Sequence, residues 1–267
     1  MTNPLDQGAK RYAQFESAQY VKFEAERTRP VRDLLAAVPP TPIRTAIDLG
    51  CGPGNSTEAL LALAPAAEIR GLDSSADMIE AARKRLPTLR FDVADITKWE
   101  EPATYDLILS NATLQWVPAH DTLFPKIVGK LAHGGHLAVQ MPDNLDEPTH
   151  RLMREVAAAG PWAEKLKGVG RTERFDARYY YTLLSPLCSH VDVWRTTYYH
   201  PLAGGADAVV EWLKGTGLRP FLAALNDGER DAFIVRYRDA VAAAYPALGN
   251  GTVLLPFPRL FIVATRK

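Results

Sequence analysis

Cysteine is scarce: Cys51 and Cys188 are the only two in 267 residues. That is too few for a disulfide scaffold or a thiolate metal site, and no metal is expected. An excess of one charge is missing as well. Thirty-one basic residues balance thirty-one acidic ones, so the formal net charge is zero. The chain therefore lacks the basic surplus with which nucleic-acid proteins neutralise phosphates. No apolar run approaches the roughly 20 residues that span a bilayer. Residues 1–7 show no basic stretch leading into an apolar one, so no signal peptide is expected. Internal repeats and low-complexity segments are absent too. What remains is ordinary globular composition, 47% hydrophobic and 23% charged, which excludes disorder, collagen-like repeats and a long coiled coil. The length suits one α/β domain with an insertion. A soluble, cytoplasmic α/β protein is the expected class.

Apolar runs of β character alternate with amphipathic stretches. Thr45–Leu49 reads as a buried strand ending at glycine, followed by a helix over 57–63 with Asn55 and Ser56 as caps. Glu68–Asp73 is a second strand, 75–85 a helix stopping before Pro87, and 89–95 a third strand. Tyr105–Asn111 is a fourth strand; 122–131 is a helix broken by Gly134-Gly135, and 136–141 a fifth strand. Such alternation implies right-handed crossovers and a parallel sheet covered by helices on both faces. After Met141 the rhythm changes. Helices are expected over Pro148–Ala159, 174–184, 206–213 and 228–245, a loop over 160–170, and strands over 190–199 and 253–265. Two late strands bracketing helices suggest an antiparallel hairpin with a helical cap inserted into it. Within one domain spanning 1–267, the core is expected at about 31–142, 188–200 and 251–267, and the cap at about 143–187 and 201–250.

The sharpest chemical signal is Asp48-Leu49-Gly50-Cys51-Gly52-Pro53-Gly54 at the first strand-to-helix junction. Glycines there permit positive φ and let the backbone approach a ligand where a Cβ would collide. A dinucleotide fingerprint would be G-x-G-x-x-G. Here the third glycine comes one position early and Asn55 stands in its place, which disfavours an NAD-dependent oxidoreductase. Asp73 ends the second strand, where an acid accepts hydrogen bonds from ribose hydroxyls. Asp95 ends the third, positioned for an exocyclic adenine amine, with the Ile96 amide available to a ring nitrogen. Asn111 ends the fourth and faces the reactive end of the ligand. Successive strand ends thus suit a nucleoside without a phosphate anchor. Competing readings are plain caps: Asp73 before Ser74-Ser75, and Asp95 before Ile96-Thr97. Cys51 has no histidine near it in sequence and reads as a small wall residue.

This constellation resembles the class I S-adenosylmethionine-dependent methyltransferases. The resemblance implies a Rossmann-like α/β fold with a mostly parallel seven-stranded sheet and a C-terminal antiparallel hairpin. It also implies S-adenosylmethionine as cofactor and S-adenosylhomocysteine as product. By that resemblance the cofactor roles fall on Asp48, Gly50, Gly52, Gly54, Asp73, Asp95, Ile96 and Asn111. Cys51, Asn55, Ser74 and Met78 flank them, and Gln115 and Trp116 border the transferred methyl, with core packing the competing reading for Trp116.

Further blocks extend the likeness through most of the chain: Leu-Gln-Trp at 114–116, Val-Gln-Met-Pro-Asp-Asn at 139–144, Glu-Pro-Thr-His-Arg-Leu-Met-Arg-Glu-Val at 147–156, Val-Asp-Val-Trp-Arg-Thr-Thr-Tyr-Tyr-His at 191–200, Thr-Gly-Leu-Arg-Pro at 216–220 and Phe-Pro-Arg-Leu-Phe-Ile-Val-Ala at 257–264. They look like the methyltransferases that esterify trans-aconitate. The N-terminal stretch through about Ala18 and the loop around 160–174 depart from that pattern. The resemblance implies carboxyl methylation to a monomethyl ester. A carboxylate is already ionised at neutral pH, so in-line transfer needs no general base. Substrate-positioning candidates are Arg27, Arg29, His150, Trp194, Arg195, Tyr199 and Arg259, since guanidinium groups bind carboxylates bidentately. For Arg27 and Arg29 a solvated helix face is the competing reading. The expected partner is a small polycarboxylate, with no nucleic acid, membrane or obligate protein partner. Alternatives are a methyltransferase for another small acid or a phenol, which would profit from a base near the methyl, and a non-catalytic nucleoside-binding module.

Overall fold

The computed structural model describes residues 24–100, 102, 104–170 and 175–267, and the side chains of these from residue 28 onward. Helix α1 (Glu24–Ala36) continues through Pro30. Burial explains the continuation. Val31, Leu34 and Leu35 are 4% exposed or less, worth roughly 1.5–3 kcal/mol each against about 3 kcal/mol for an internal proline.

Then follow β1 (Thr45–Leu49), α2 (Asn55–Leu63), β2 (Glu68–Asp73), α3 (Ala76–Arg85), β3 (Arg90–Val93), β4 (Tyr105–Asn111), α4 (His120–Gly129) and β5 (Leu131–Pro142). After them come α5 (Pro148–Ala159), α6 (Ala177–Leu184), β6 (Cys188–Ala203), α7 (Gly205–Lys214), α8 (Arg219–Ala223), α9 (Asp227–Ala244) and β7 (Thr252–Arg266). The strands form one seven-stranded sheet in the order β3-β2-β1-β4-β5-β7-β6. Pairing is parallel from β3 through β5, while β7 runs antiparallel to β5. This is the expected parallel sheet with a reversed C-terminal hairpin. The order turns back between β1 and β4, the position where open α/β sheets bind ligands beyond the strands' carboxyl ends.

Three local expectations change. Gly134-Gly135 does not separate helix from strand. Helix α4 has already ended at Gly129, and the glycines lie inside β5, where the register against β4 shifts between Tyr105 and Leu107. Strand β3 stops at Val93, so Asp95 lies two residues past its end. The helix expected from residue 174 starts at Ala177, after Asp176 caps it by accepting from the Tyr179 N–H at 2.8 Å.

The chain divides into two compact units. One comprises 27–143, 174–196 and 258–267; the other comprises 1–26, 144–173 and 197–257. The sheet unit has its own apolar core, in which Ile47, Leu49, Ile108, Phe124, Leu137 and Ile262 are essentially solvent-free. Helix α6, expected in the cap, belongs here: Tyr180 and Leu184 are buried in that core, and the Tyr180 ring sits 5.0 Å from that of Phe124. The hairpin's outer halves instead belong to the helical unit, where Val253, Leu255 and Phe257 join its core. In that unit Trp162 packs 5.3 Å from Phe233, and the buried Tyr237 donates to the Thr149 carbonyl at 3.0 Å. Burial pushes the Tyr237 phenol far above its usual range, so it stays a neutral donor.

Replacing Tyr237 by Phe should leave the Thr149 carbonyl without this donor and lower stability by about 1 kcal/mol. A urea melt at unchanged m-value should show it as a lower midpoint.

Candidate active site

The site is built at the carboxyl end of β1. Gly50 and Cys51 both donate their N–H groups to the Leu72 carbonyl, at 2.7 and 2.9 Å, which swings the chain off the sheet over the end of β2. Gly50 has φ +74°, and a Cβ there would lie 2.1–2.6 Å from the Thr113 side chain, so only glycine fits. Thr113 Oγ1 in turn donates to the Gly50 carbonyl at 3.0 Å. The Gly52 N–H donates to Asp73 Oδ2 at 2.9 Å. Around Gly52 the opposite condition holds: a Cβ would meet nothing within 4 Å among the described residues, so none of them covers this edge of the turn. Gly54, at φ +92°, is the N-cap of α2 and offers no side-chain cap to its first amides.

Beneath the turn lies Asp48, which is wholly buried. Its Oδ2 accepts from Ser56 Oγ and Thr57 Oγ1, each at 2.7 Å. Its Oδ1 is equally buried and has no hydrogen-bond partner. Desolvation outweighs the two hydroxyls, with the Asp73 charge adding to it, and raises this carboxyl to about 6. Cys51 is buried beside these acids, and burial first, then their charges, push its thiol well above the usual range. It is a protonated wall residue with no nucleophilic character.

Asp73 combines two local roles. One oxygen holds the glycine turn, and the other accepts from the Ser75 N–H at 2.9 Å. Ser75, not Asp73, is the N-cap of α3, accepting from Met78. Each Asp73 oxygen keeps further lone-pair capacity. Ser74 is exposed and Met78 and Asn55 half-buried. Asp95 is exposed and caps a 3-10 turn, accepting from the Thr97 N–H at 2.9 Å and its hydroxyl at 2.7 Å; the Thr97 bonds hold its carboxyl below the usual range. Ile96 beside it is buried.

Asn111 closes β4 with a buried Oδ1 that has no partner. The next residue, Ala112, takes φ +54° and donates to the Gln140 carbonyl at 2.8 Å. The 3-10 turn Leu114–Trp116 follows. Gln115 Nε2 donates to the Ala112 carbonyl at 2.6 Å, and its Oε1 is buried without a partner. Trp116 is 55% exposed, so core packing is not its role. The turn is pinned from below by His120, whose ring nitrogens meet the Leu114 carbonyl at 2.9 Å and the Tyr180 hydroxyl at 2.7 Å.

The positioning candidates separate. Trp194, Arg195 and Arg259 lie in the sheet unit with the glycine turn, whereas His150 and Tyr199 lie in the helical unit. Trp194 stacks on Phe261 with centroids 4.9 Å apart. Arg195 pairs with Asp143 at 2.7 Å. Arg259 is only 4% exposed and donates from Nη1 to Gln140 Oε1 at 3.1 Å. His150 Nδ1 meets Thr149 Oγ1 at 3.1 Å, and Tyr199 is 65% exposed. Arg29 is exposed and lies 3.8 Å from Asp33; the Arg27 side chain lies outside those described. Sequence reading passed over Thr113, Ser56 and Thr57, which bond to Gly50 and Asp48, and the wholly buried Gln140. A glutamine in the apolar run Leu-Ala-Val-Gln-Met was the available signal, since buried polar groups in central strands need a reason.

Comparison with known proteins agrees with this geometry. A family profile described as a methyltransferase domain matches residues 46–135. Among solved structures, the YcgJ protein of Bacillus subtilis superposes with a TM-score of 0.58 at 14% identity, over 89% of this chain and 97% of that one. A Haemonchus contortus phosphoethanolamine N-methyltransferase 2, solved with S-adenosylhomocysteine, gives a TM-score of 0.54 at 16% identity, over 89% of this chain and 52% of that one. The fold is that of the class I methyltransferases.

The sequence relatives are far nearer. A trans-aconitate 2-methyltransferase of Rhizobium meliloti (strain 1021) is 53% identical over 95% of this chain and 99% of its own length. Those of Methylobacterium radiotolerans and Rhodopseudomonas palustris (strain BisB18) are 52% and 50% identical, each over 95% of this chain and at least 99% of their own. The chain belongs to the trans-aconitate 2-methyltransferase family.

The raised Asp48 carboxyl has a consequence for folding. The native state holds this proton more tightly than the unfolded chain, so its stabilising contribution is complete below about pH 4 and is lost as pH rises through about 6. The loss amounts to about 3 kcal/mol at 1.36 kcal/mol per pKa unit. Chemical denaturation from pH 4 to 7 should show that slope in the wild type, superimposed on other titrations, and Asp48→Asn should remove it.

Proposed function

We infer that this chain transfers the methyl group of S-adenosylmethionine to a carboxylate of trans-aconitate, giving a monomethyl ester and S-adenosylhomocysteine. One observation carries the reading: identity of about half the residues over 95% of the chain, helical unit included, with proteins of that name. No described helix is long and apolar enough to cross a membrane, and cytoplasmic location follows as part of the same inference.

The residues present fit such a cofactor. Asp48 and Asn111 each hold a buried, partnerless oxygen, and the bare flank of Gly52 leaves room where a side chain would stand. An ammonium group suits the Asp48 oxygen, and the Asp73 lone pairs suit ribose hydroxyls. The adenine would lie toward Asp95 and the Ile96 amide, and the methyl toward Asn111, Gln115 and Trp116. Cys51, Gly50, Gly54, Asn55, Ser74 and Met78 complete the enclosure. When bound, S-adenosylmethionine supplies an electrophilic methyl on a sulfonium sulfur. The protein's own work is to orient the carboxylate in line and exclude water, worth up to roughly 7–11 kcal/mol of the barrier in favourable systems. The acceptor carboxylate, with a pKa near 4, arrives ionised, so no side chain need take a proton.

Mass spectrometry of reactions containing trans-aconitate, cis-aconitate, citrate or isocitrate should show one added methyl group on trans-aconitate above all. Product from a phenol panel alone, or none from any acid, would overturn the reading. With both substrates saturating, kcat should stay flat from about pH 7 to 9. A limb in that range that disappears on removing one histidine or aspartate would point to a general base instead.

A further inference from the structure

The geometry points to Gln140, together with Arg259, as the receptor for a non-reacting carboxylate of the acceptor. This rests on the esterification reading and assigns its specificity to a residue of the sheet. Strand register places the pieces. Asp48 pairs with Leu109, Leu109 with Ala138, and Ala138 with Val263. Two residues further along each strand, on the same face, stand Asn111, Gln140 and Phe261, with Arg259 following Phe261 on that face. Gln140 is therefore one strand, about 4.8 Å, beyond Asn111 on the side away from the glycine turn.

The orientation of the Gln140 amide is dictated by its neighbour. Arginine has donors only, and Arg259 Nη1 lies 3.1 Å from the amide, so the Gln140 oxygen must face it. The amide nitrogen consequently points elsewhere. It is buried, in a residue with no exposed surface, and has no hydrogen-bond partner. A buried donor left in this state costs about 1–3 kcal/mol. Beside it stands a guanidinium that is 4% exposed. The unpartnered Gln140 amide asks for an acceptor, the positive charge of the guanidinium beside it favours an anionic one, and a planar carboxylate is such a group. The Trp194–Phe261 stack, 4.9 Å between centroids, supplies an apolar neighbour on the adjoining strand.

The test is calorimetric titration of trans-aconitate into protein saturated with S-adenosylhomocysteine, for wild type, Gln140→Glu and Gln140→Leu, with steady-state kinetics alongside. Gln140→Glu keeps the side chain's size and puts a carboxylate beside the Arg259 guanidinium. Its melting temperature should equal or exceed the wild type's, and its affinity for S-adenosylhomocysteine should stay within twofold. Trans-aconitate affinity should nonetheless fall at least 100-fold, because the new charge repels the carboxylate and neutralises the guanidinium. Gln140→Leu should lose about tenfold or more, expressed in the KM for trans-aconitate with the KM for S-adenosylmethionine unchanged. Unaltered trans-aconitate affinity in both variants overturns the assignment. Parallel loss of S-adenosylhomocysteine affinity overturns it too, because Gln140 would then serve the cofactor. If the wild type esterifies trans-aconitate regardless, only this assignment falls; if it neither binds nor esterifies any polycarboxylate, the functional reading falls with it.

Discussion

A carboxylate buried under a turn of glycines is the constraint on which this protein depends. Taking Asp48 out of water is costly unless hydrogen bonds or a counter-charge compensate. Two hydroxyls from the first turn of α2 compensate one oxygen and the other is left open. That arrangement ties β1 to α2 and fixes where the intervening turn must pass. The turn is tied again by Gly50 and Cys51 to the Leu72 carbonyl and by Gly52 to Asp73. The site is held by the same bonds that hold the first βαβ unit together. Its geometry therefore precedes any ligand, as pre-organised binding requires.

From that anchor the sheet lays out polar groups strand by strand. Asp73, the glycine turn, Asn111 and Gln140 follow one another on β2, β1, β4 and β5, adjacent in the sheet order. The row changes in character from one side of the sheet to the other. At the β2 side the groups are acceptors. At the β5 and β7 side stands the Gln140 amide, whose oxygen accepts from the Arg259 guanidinium and whose nitrogen has no partner among the described residues. The antiparallel β7 matters for this reason: its reversed direction brings Arg259 opposite Pro142, at the same end of the sheet as the strand ends β1 to β5.

Much of this was legible in the residues. Strands β1, β2 and β4 have the expected bounds, because each is a short run that ends in Asp or Asn or, for β1, just before Gly50, residues that leave a sheet most easily. The glycine turn announced itself by spacing. What escaped reading did so for physical reasons. Gly134-Gly135 looks like a break because glycine usually punctuates, yet neighbouring strands absorbed it as a register shift. Helix α6 has the pattern of any amphipathic helix, and nothing local says whether its buried face meets the sheet core or the helical unit. The partners of Asp48 were hidden because Ser56 and Thr57 read equally well as helix-start residues. Among the acceptor candidates, arginines look alike in sequence. Only long-range packing separates the solvent-exposed Arg29 from Arg195 with its Asp143 and from the buried Arg259.

The central claim is that the turn after β1 is bare because a ligand, and not another part of the protein, occupies its flank. Gly52→Ala tests this most directly, since the added Cβ touches nothing among the described residues. The left-handed backbone should cost only about 1–2 kcal/mol. Calorimetric titration of S-adenosylhomocysteine should therefore find a cooperatively folded variant, slightly lower in melting temperature, whose affinity has dropped at least tenfold from the wild type's. Affinity equal to the wild type's, or a wild type that gives no saturable heat, would contradict the account.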